Sequence, residues 1–166
     1  MLDLRPVQPD DAPALHALLS DPEVARWLRP KGASGPFSME ECEAWAGKDA
    51  AHWAAHGFGP WLAWDGDMCA GRCLLKHSVL DGRSEVEIGW AVASRYWGRG
   101  VGTAMGRHAL AAGVQRGIAN LIAFTRVDNV ASRRVMEKLG MTYERDFEHA
   151  GYPHALYRTI RERNSP

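Results

Sequence analysis

The sequence lacks the features that mark a membrane, secreted or nucleic-acid-binding protein. No apolar run approaches the roughly 20 residues that a membrane-spanning helix needs. The first residues, Met-Leu-Asp-Leu-Arg-Pro, have neither the basic start nor the apolar centre of a signal peptide. Lysine and arginine together number 20, as do aspartate and glutamate, so the net charge is zero. We therefore expect neither nucleic acid nor a membrane as a partner.

Cysteine is also scarce, and its spacing excludes the common cysteine sites. Cys42, Cys69 and Cys73 cannot all pair, and none of them forms a CxxC motif. No histidine-rich segment accompanies them, and His77, His108, His149 and His154 lack metal-ligand spacing. We expect three reduced thiols in a cytoplasmic protein that binds no metal.

Length and patterning indicate one folded domain. The 166 residues are 46% hydrophobic and 24% charged, which suits a single domain with a substantial core. We predict one domain over residues 1–166, with residues 161–166 as a frayed tail. Alternation and turn signals predict a strand, two helices, three antiparallel strands, a helix, a strand, a helix and two strands. The expected fold is α+β, with a mixed, mostly antiparallel seven-stranded sheet flanked by about four helices.

The stretch over residues 84–113 carries the strongest sign of a ligand. The run Glu85-Val86-Glu87-Ile88 alternates acidic and apolar residues, which predicts a strand with one acidic face. It leads into Trp97-Gly98-Arg99-Gly100-Val101-Gly102 and then into an alanine-rich helix. A glycine-rich turn that opens a helix presents backbone N–H groups at the positive end of the helix dipole. This arrangement predicts a receptor for a phosphate or pyrophosphate, with the reactive end of the ligand along the strand.

Two familiar glycine motifs do not fit this turn. The dinucleotide motif G-x-G-x-x-G needs a different spacing from glycines at 98, 100 and 102. The P-loop ends in G-K-[ST], and Val101 occupies the lysine position. A methyltransferase-like G-x-G-x-G is present, although no acidic residue stands just before it and an antiparallel meander precedes it. A small methyltransferase is therefore kept as an alternative.

Taken together, the motifs resemble those of one enzyme superfamily. The segment E-I-G-W-A-V is followed by W-G-R-G-V-G-T-A, and N-V-A-S-R-R-V-M-E-K-L-G-M comes about thirty residues later. This combination closely resembles the GNAT acyltransferases, and within them the RimJ/RimL group of protein N-terminal acetyltransferases. The resemblance extends from L-R-P-V-Q-P-D-D to A-L-Y-R-T. It implies a GNAT-like fold and an N-acetyltransferase that passes acetyl from acetyl-CoA directly to a primary amine, either a protein N-terminal α-amine or a small-molecule amine.

The resemblance also implies which residues hold acetyl-CoA. The pyrophosphate would lie on the backbone of the glycine turn, and the pantetheine arm would pair with the strand at Ala91 and Val92. Asn129 would bind a pantetheine amide, although it is equally suited to cap the helix that follows. The predicted cofactor-binding residues are Trp90, Ala91, Val92, Trp97, Gly98, Arg99, Gly100, Val101, Gly102, Thr103, Asn129, Ser132 and Arg133.

Acetyl transfer needs a neutral amine, a stabilised oxyanion and a proton for the departing thiolate. An α-amine, with a pKa of about 7.7–8.0, needs less help than a lysine at about 10.4. Glu87 is the candidate base, acting through a water, and Glu85 on the same face is the alternative. Backbone N–H near Val92 would stabilise the oxyanion. Many GNATs use a tyrosine as the acid; Met136 stands there and cannot donate, so Ser132, one turn earlier, is the candidate.

The sequence leaves a second class of function open. Met136 in place of tyrosine also fits a non-catalytic module that binds or senses acyl-CoA. The sequence does not distinguish a monomer from a homodimer, nor one amine acceptor from another. His149, Tyr152 and His154 surround the last predicted hairpin, which in this family borders the acceptor site.

Overall fold

A seven-stranded sheet forms the frame of the protein, with the strand order β1-β2-β3-β4-β5-β7-β6. The computed structural model describes residues 1–159. In chain order, β1–β7 are Asp3–Pro6, Trp61–Asp65, Met68–Leu80, Arg83–Val92, Ile122–Arg126, Met141–His149 and Tyr152–Thr159. Neighbouring strands are antiparallel except β4 and β5, which are parallel. The predicted mixed, mostly antiparallel sheet is confirmed.

Five α-helices flank the sheet, where about four were predicted. They are α1 (Ala12–Leu19), α2 (Pro22–Leu28), α3 (Met39–His56), α4 (Val101–Gln115) and α5 (Val130–Lys138). A capping box starts α3, where the side chains of Ser38 and Glu41 each accept a hydrogen bond from the other residue's backbone N–H. None of the described helices is long and apolar enough to cross a membrane. The predicted tail over residues 161–166 lies outside the described part of the chain.

The last two strands are joined by a short turn. Strand β6 ends at His149 and β7 begins at Tyr152, and these two residues are paired. Ala150 and Gly151, at φ of 51° and 80°, complete the reversal by themselves. The flanking residues therefore remain paired as strands.

The two faces of the sheet are covered by different helices. On one face, α1, α2 and α3 pack against strand residues that include Leu62 and Ala70. On the other, α4 and α5 pack against Ile88 and Ala123. Side chains alternate along a strand, so Glu85 and Glu87 lie on the first face, opposite the α4 side. A small cluster of Leu80, Ile122, Leu156, Phe124 and Phe147 extends that face across β5, β6 and β7.

Candidate active site

The parallel strands β4 and β5 separate near the centre of the sheet. In the described part of the chain, a single residue pair joins them, Glu87 with Ile122. On its other side, β4 stays paired with β3 as far as Val92, which lies opposite Gly71. Beyond Glu87, therefore, one edge of β4 is bonded to β3 and the other edge borders a gap.

Alternate residues of β4 direct their backbone groups into this gap. The Ala93 N–H donates to the Ala70 carbonyl at 2.9 Å, so it points toward β3. The Ala91 carbonyl also points toward β3, since a Cβ built on Gly71 would collide with that oxygen. Backbone groups alternate between the two edges of a strand. Hence Trp90 and Val92 face the gap, whereas Ala91, also predicted to pair with pantetheine, has its carbonyl turned to β3.

Two tryptophans hold the end of this strand. The Trp97 indole Nε1–H donates to the Val92 carbonyl oxygen at 2.9 Å, while the Trp97 side chain stays on the surface. The Trp90 ring lies on the face of the sheet that α4 covers, close to Gly102 and Gly106. Trp90 therefore faces the gap with its backbone and not with its ring.

The glycine turn leaves a set of backbone donors without partners. Gly98 and Gly100 have φ of 74° and 77°, in the left-handed region that favours glycine. Helix α4 starts at Val101 without a side-chain cap on its N–H groups. Among the described hydrogen bonds, the N–H groups of Gly98, Gly100 and the first three residues of α4 have no acceptor. These donors stand at the positive end of a 15-residue helix, which suits an anion.

Cavities border the turn on its outer side and the strand end on the helix α1 side. One of about 320 Å³ is lined by Tyr96, Arg99 and Val101 together with the N-terminal residues. Another, of about 530 Å³, lies between α1 and the β2–β3 turn and includes Ser94 and Arg95. Neither is lined by Glu85 or Glu87, the two candidate bases.

The two candidate bases have opposite surroundings. Glu85 accepts hydrogen bonds from both terminal nitrogens of Arg158, at 2.8 and 3.0 Å, which hold the pKa of Glu85 below its usual range. Glu87 is half-buried, and burial raises its pKa despite the nearby Lys76 and Ser78. A base works best when its pKa lies near the working pH. The surroundings therefore favour Glu87 over the ion-paired Glu85.

Comparison with known proteins decides the family. The family model described as acetyltransferase (GNAT) domain matches residues 1–142. This chain belongs to the GNAT acetyltransferase family. GNAT acetyltransferases use acetyl-CoA, which fits a cleft that combines an anion receptor with an open strand edge. YkkB of Bacillus subtilis is 28% identical to this GNAT chain over 152 residues, which cover 89% of the chain and 85% of YkkB.

Solved structures share the GNAT fold over nearly the whole chain. A GNAT acetyltransferase from Bacillus anthracis has a TM-score of 0.76 at 23% identity, covering 96% of this chain and 94% of that one. RimL, a ribosomal L7/L12 α-N-protein acetyltransferase in complex with coenzyme A, scores 0.76 at 22% identity, covering 96% and 93%. The Salmonella typhimurium acetyltransferase that modifies the N-terminal serine of L7/L12 scores 0.74 at 22% identity, covering 97% and 95%.

The remaining predicted GNAT site residues lie in the first turn of α5. The Asn129 side-chain oxygen accepts from the Ser132 N–H at 3.2 Å, so Asn129 is the helix cap. Arg133 donates to the Tyr157 hydroxyl at 3.2 Å and to the Val127 carbonyl at 3.0 Å. Contact of Asn129, Ser132 and Arg133 with the cofactor stays a prediction, and internal partners already engage the guanidinium of Arg133.

Sequence reasoning missed a contact between α2 and the last hairpin. The guanidinium of Arg126, at the end of β5, lies 4.0 Å from the Tyr152 ring and 5.1 Å from the Trp27 ring. The Lys31 N–H donates to the Ala150 carbonyl at 2.8 Å. Together these contacts join the segment after α2 to the β6–β7 turn. The aromatic and proline-glycine character of both segments was visible in the sequence, but their contact was not.

Four aromatic rings cover the sheet between this hairpin and the glutamates. Phe124, Phe147, His149 and His154 have ring centroids 5.0–6.1 Å apart. The His154 Nδ1 lies 2.9 Å from the Tyr152 carbonyl, so Nδ1 carries the proton, and burial lowers the pKa of His154. Phe124 lies on the same face of β5 as Ile122, the residue that pairs with Glu87, so the ring cluster lies on the face of the sheet that carries the candidate base.

The cysteines are free thiols, as predicted. All three are buried. Burial raises the pKa of Cys73 to about 12, so this thiol is unreactive at neutral pH. Within residues 1–159, no three His, Cys, Asp or Glu side chains are grouped to hold a metal ion.

Proposed function

We propose that this GNAT protein transfers the acetyl group of acetyl-CoA directly to a primary amine. The observation that carries the proposal is the gap beside β4, which the backbone groups of Trp90 and Val92 face, together with the unpartnered donors of the glycine turn that follows this strand. An extended chain of amides that ends in a pyrophosphate matches both parts at once. The pantetheine arm adds to the open edge of β4, and the pyrophosphate lies on the N–H groups of Gly98 to Thr103.

Each step of the proposed reaction depends on a different residue. Glu87, through a water, takes a proton from the incoming amine, whose nitrogen then forms the new C–N bond as the C–S bond breaks. The Val92 N–H donates to the negative charge that develops on the thioester oxygen. The Ser132 hydroxyl donates a proton to the departing sulfur. Arg99, which is exposed beside the turn, adds a positive charge near the phosphates.

The acceptor that we propose is a protein N-terminal α-amine. Two RimL structures, from proteins that modify the N terminus of L7/L12, share the fold of this chain. An α-amine, with its pKa of about 7.7–8.0, also suits a site with one half-buried carboxylate as its base, because the amine is already partly neutral near pH 7.5. A small-molecule amine is the alternative within the same reaction.

A peptide panel tests this proposal. The protein is incubated with acetyl-CoA and peptides that carry a free N terminus, and free thiol release and peptide mass are followed. Each peptide is paired with a copy whose N terminus is blocked and whose lysine is free. We expect acetylation of the free N termini and little of the blocked copies. Acetylation of small amines alone would move the acceptor to the alternative class, and no turnover with no thermal stabilisation by acetyl-CoA would contradict the reaction itself.

A second candidate function is a module that binds acyl-CoA without catalysis. The observation that favours it is Met136, which is 2% exposed in the core and has no proton to donate. This candidate predicts stabilisation by CoA, no transfer to any amine and no effect of Glu87→Gln on any measured property of the bound state. Turnover with a single acceptor would eliminate it.

A further inference from the structure

The peptide group at the end of β4 is held from both of its sides. Its carbonyl, that of Val92, accepts from the Trp97 indole N–H at 2.9 Å. Its N–H, that of Ala93, donates to the Ala70 carbonyl at 2.9 Å. A peptide is planar, so opposing hydrogen bonds on its two ends fix the orientation of the whole group. These two hydrogen bonds therefore prevent the last peptide group of β4 from rotating.

The preceding peptide, between Ala91 and Val92, carries the N–H that donates to the oxyanion in the proposed reaction. That N–H belongs to Val92, and the carbonyl of the same peptide, that of Ala91, points the other way toward Gly71 of β3. Both peptides meet at the Cα of Val92, so holding the second one restrains ψ of Val92 and the position of that Cα, to which the nitrogen of the Val92 N–H is bonded. An oxyanion donor is effective only when it is aligned before the charge develops.

Burial does not account for the side chain that provides this bond. Trp97 is 43% exposed, yet its indole nitrogen is directed at a main-chain oxygen of the cleft. Its own backbone leads directly into Gly98, the first residue of the predicted pyrophosphate turn. One residue thus contacts the thioester end of the site through its side chain and the phosphate end through its main chain.

We propose that Trp97 is a positioning residue, which aligns the Val92 N–H with the thioester carbonyl and ties that alignment to the phosphate-binding turn. The inference rests on the proposed acetyl transfer. The side chain does not touch the reacting atoms; it acts through the Val92–Ala93 peptide. Removing its N–H therefore alters the rate of the chemical step more than the binding of acetyl-CoA.

The test compares two tryptophan-to-phenylalanine variants. Trp97→Phe keeps a ring and removes the donor, and we expect kcat to fall about 10-fold or more while KM for acetyl-CoA changes less than about 3-fold. Trp53→Phe is the matched control, because the Trp53 indole N–H donates to the Pro60 carbonyl at 2.6 Å on α3, away from the cleft. That variant loses the same kind of bond and should be less stable with an unchanged kcat.

A third variant separates the hydrogen bond from the ring. Trp97→Gln offers an amide N–H of similar reach, and we expect it to recover part of the kcat lost in Trp97→Phe. Hydrogen exchange of the wild-type protein gives an independent readout, in which the Trp97 indole N–H should exchange slowly for an exposed ring.

The outcomes are distinct. Wild-type turnover together with an unchanged kcat in Trp97→Phe would overturn the inference and leave the proposed function standing. A glutamine variant as slow as the phenylalanine variant would also overturn it, by assigning the effect to the ring. A wild-type protein without acetyl transfer to any amine would overturn the proposed function, and the role of Trp97 with it.

Discussion

In the proposed acetyl transfer, the donor and acceptor halves of the site come from different parts of the chain. The proposed donor half consists of main-chain groups on β4 and on the turn before α4, and several of these N–H groups have no partner among the described hydrogen bonds. The proposed acceptor half consists of side chains from distant segments, such as Trp27 and Tyr152, whose rings both contact the guanidinium of Arg126. A main-chain receptor suits one invariant ligand, whereas a side-chain surface can be altered for different amines. Glu87 lies between the two halves.

The largest effect on activity is expected from a substitution of Glu87. Replacing Glu87 with glutamine removes the proton acceptor and keeps the shape of the side chain, so we expect kcat to fall by about 10²–10⁴. The dissociation constant of acetyl-CoA should stay within about 3-fold, because the donor half is built from main chain. Steady-state kinetics and calorimetric titration of the same variant provide both values.

Glu85→Gln is the control for this comparison. Glu85 lies on the same strand face, but Arg158 already engages its carboxylate. We expect this variant to keep most of its kcat. A loss in Glu85→Gln equal to that in Glu87→Gln would mean that the acidic face acts as a whole, and that the assignment of one base is wrong.

The next effect separates the donor half from the rest. In Gly100→Ala the new side chain must adopt a φ of 77° or distort the turn, which costs about 1–2 kcal/mol. Distortion moves the N–H groups that hold the pyrophosphate, so KM for acetyl-CoA should rise about 10-fold. Gly66→Ala introduces similar strain at a φ of 59° in the β2–β3 turn. It should lower stability alone, and a matching rise in KM there would contradict the assignment.

A smaller effect tests the acceptor half. Tyr152→Ala removes the ring that faces the Arg126 guanidinium, an interaction with a free energy of about 0.5–1 kcal/mol. We expect KM for the peptide to change about 2- to 5-fold while KM for acetyl-CoA is unchanged. Tyr143→Ala removes a tyrosine on the other face of the sheet, so both KM values should persist. If Tyr152→Ala instead changed only the KM for acetyl-CoA, the division into two halves would fail.

The last effect is on stability rather than on kinetics, and here the two glutamates should differ in sign. The pKa of Glu87 is raised on folding, so its ionisation as the pH rises destabilises the folded state, and Glu87→Gln should be more stable than wild type at pH 7. The pKa of Glu85 is lowered on folding. The stabilising contribution of Glu85 is fully present above its pKa in the unfolded chain. It disappears as the pH falls through the lower pKa that Glu85 has in the folded state. Glu85→Gln should lose about 1–3 kcal/mol at pH 7.

Urea unfolding at pH 7 and at pH 3 measures these differences. Both should shrink at the lower pH, because protonated carboxyls resemble the amides that replace them. If both glutamine variants changed the free energy of unfolding in the same direction at pH 7, the opposite pKa shifts of Glu85 and Glu87 would be contradicted.

The backbone conformation of the proposed donor half could be predicted because local residues determine it. Glycines at 98 and 100 permit the left-handed conformations, and the strand alternation directs Glu85 and Glu87 to one face. The acceptor half depends on contacts between residues far apart in the chain. The pairing of Glu85 with Arg158 spans 73 residues, and no local pattern reveals it. The same holds for the contact of Lys31 with Ala150.

Sequence patterns do not predict the separation of β4 from β5, and the reason is different. Both strands have the composition of paired strands, and the sequence of neither one marks where the pairing between them ends. The alternation that turns the Ala91 carbonyl toward β3, and Trp90 and Val92 toward the gap, depends on the β3–β4 register. The Trp97 indole bond depends in turn on where that register places the Val92 carbonyl.

The most direct test of the donor site is a titration of the ¹⁵N-labelled protein with acetyl-CoA, followed by the chemical shifts of its backbone amides. The account predicts the largest shifts at Trp90, Val92 and residues 98–103, with small shifts at Ala91 and in the β6–β7 turn. Largest shifts in that turn or in the cleft beside α1, or no shifts at saturating acetyl-CoA, would contradict a main-chain acetyl-CoA site between β4 and the glycine turn.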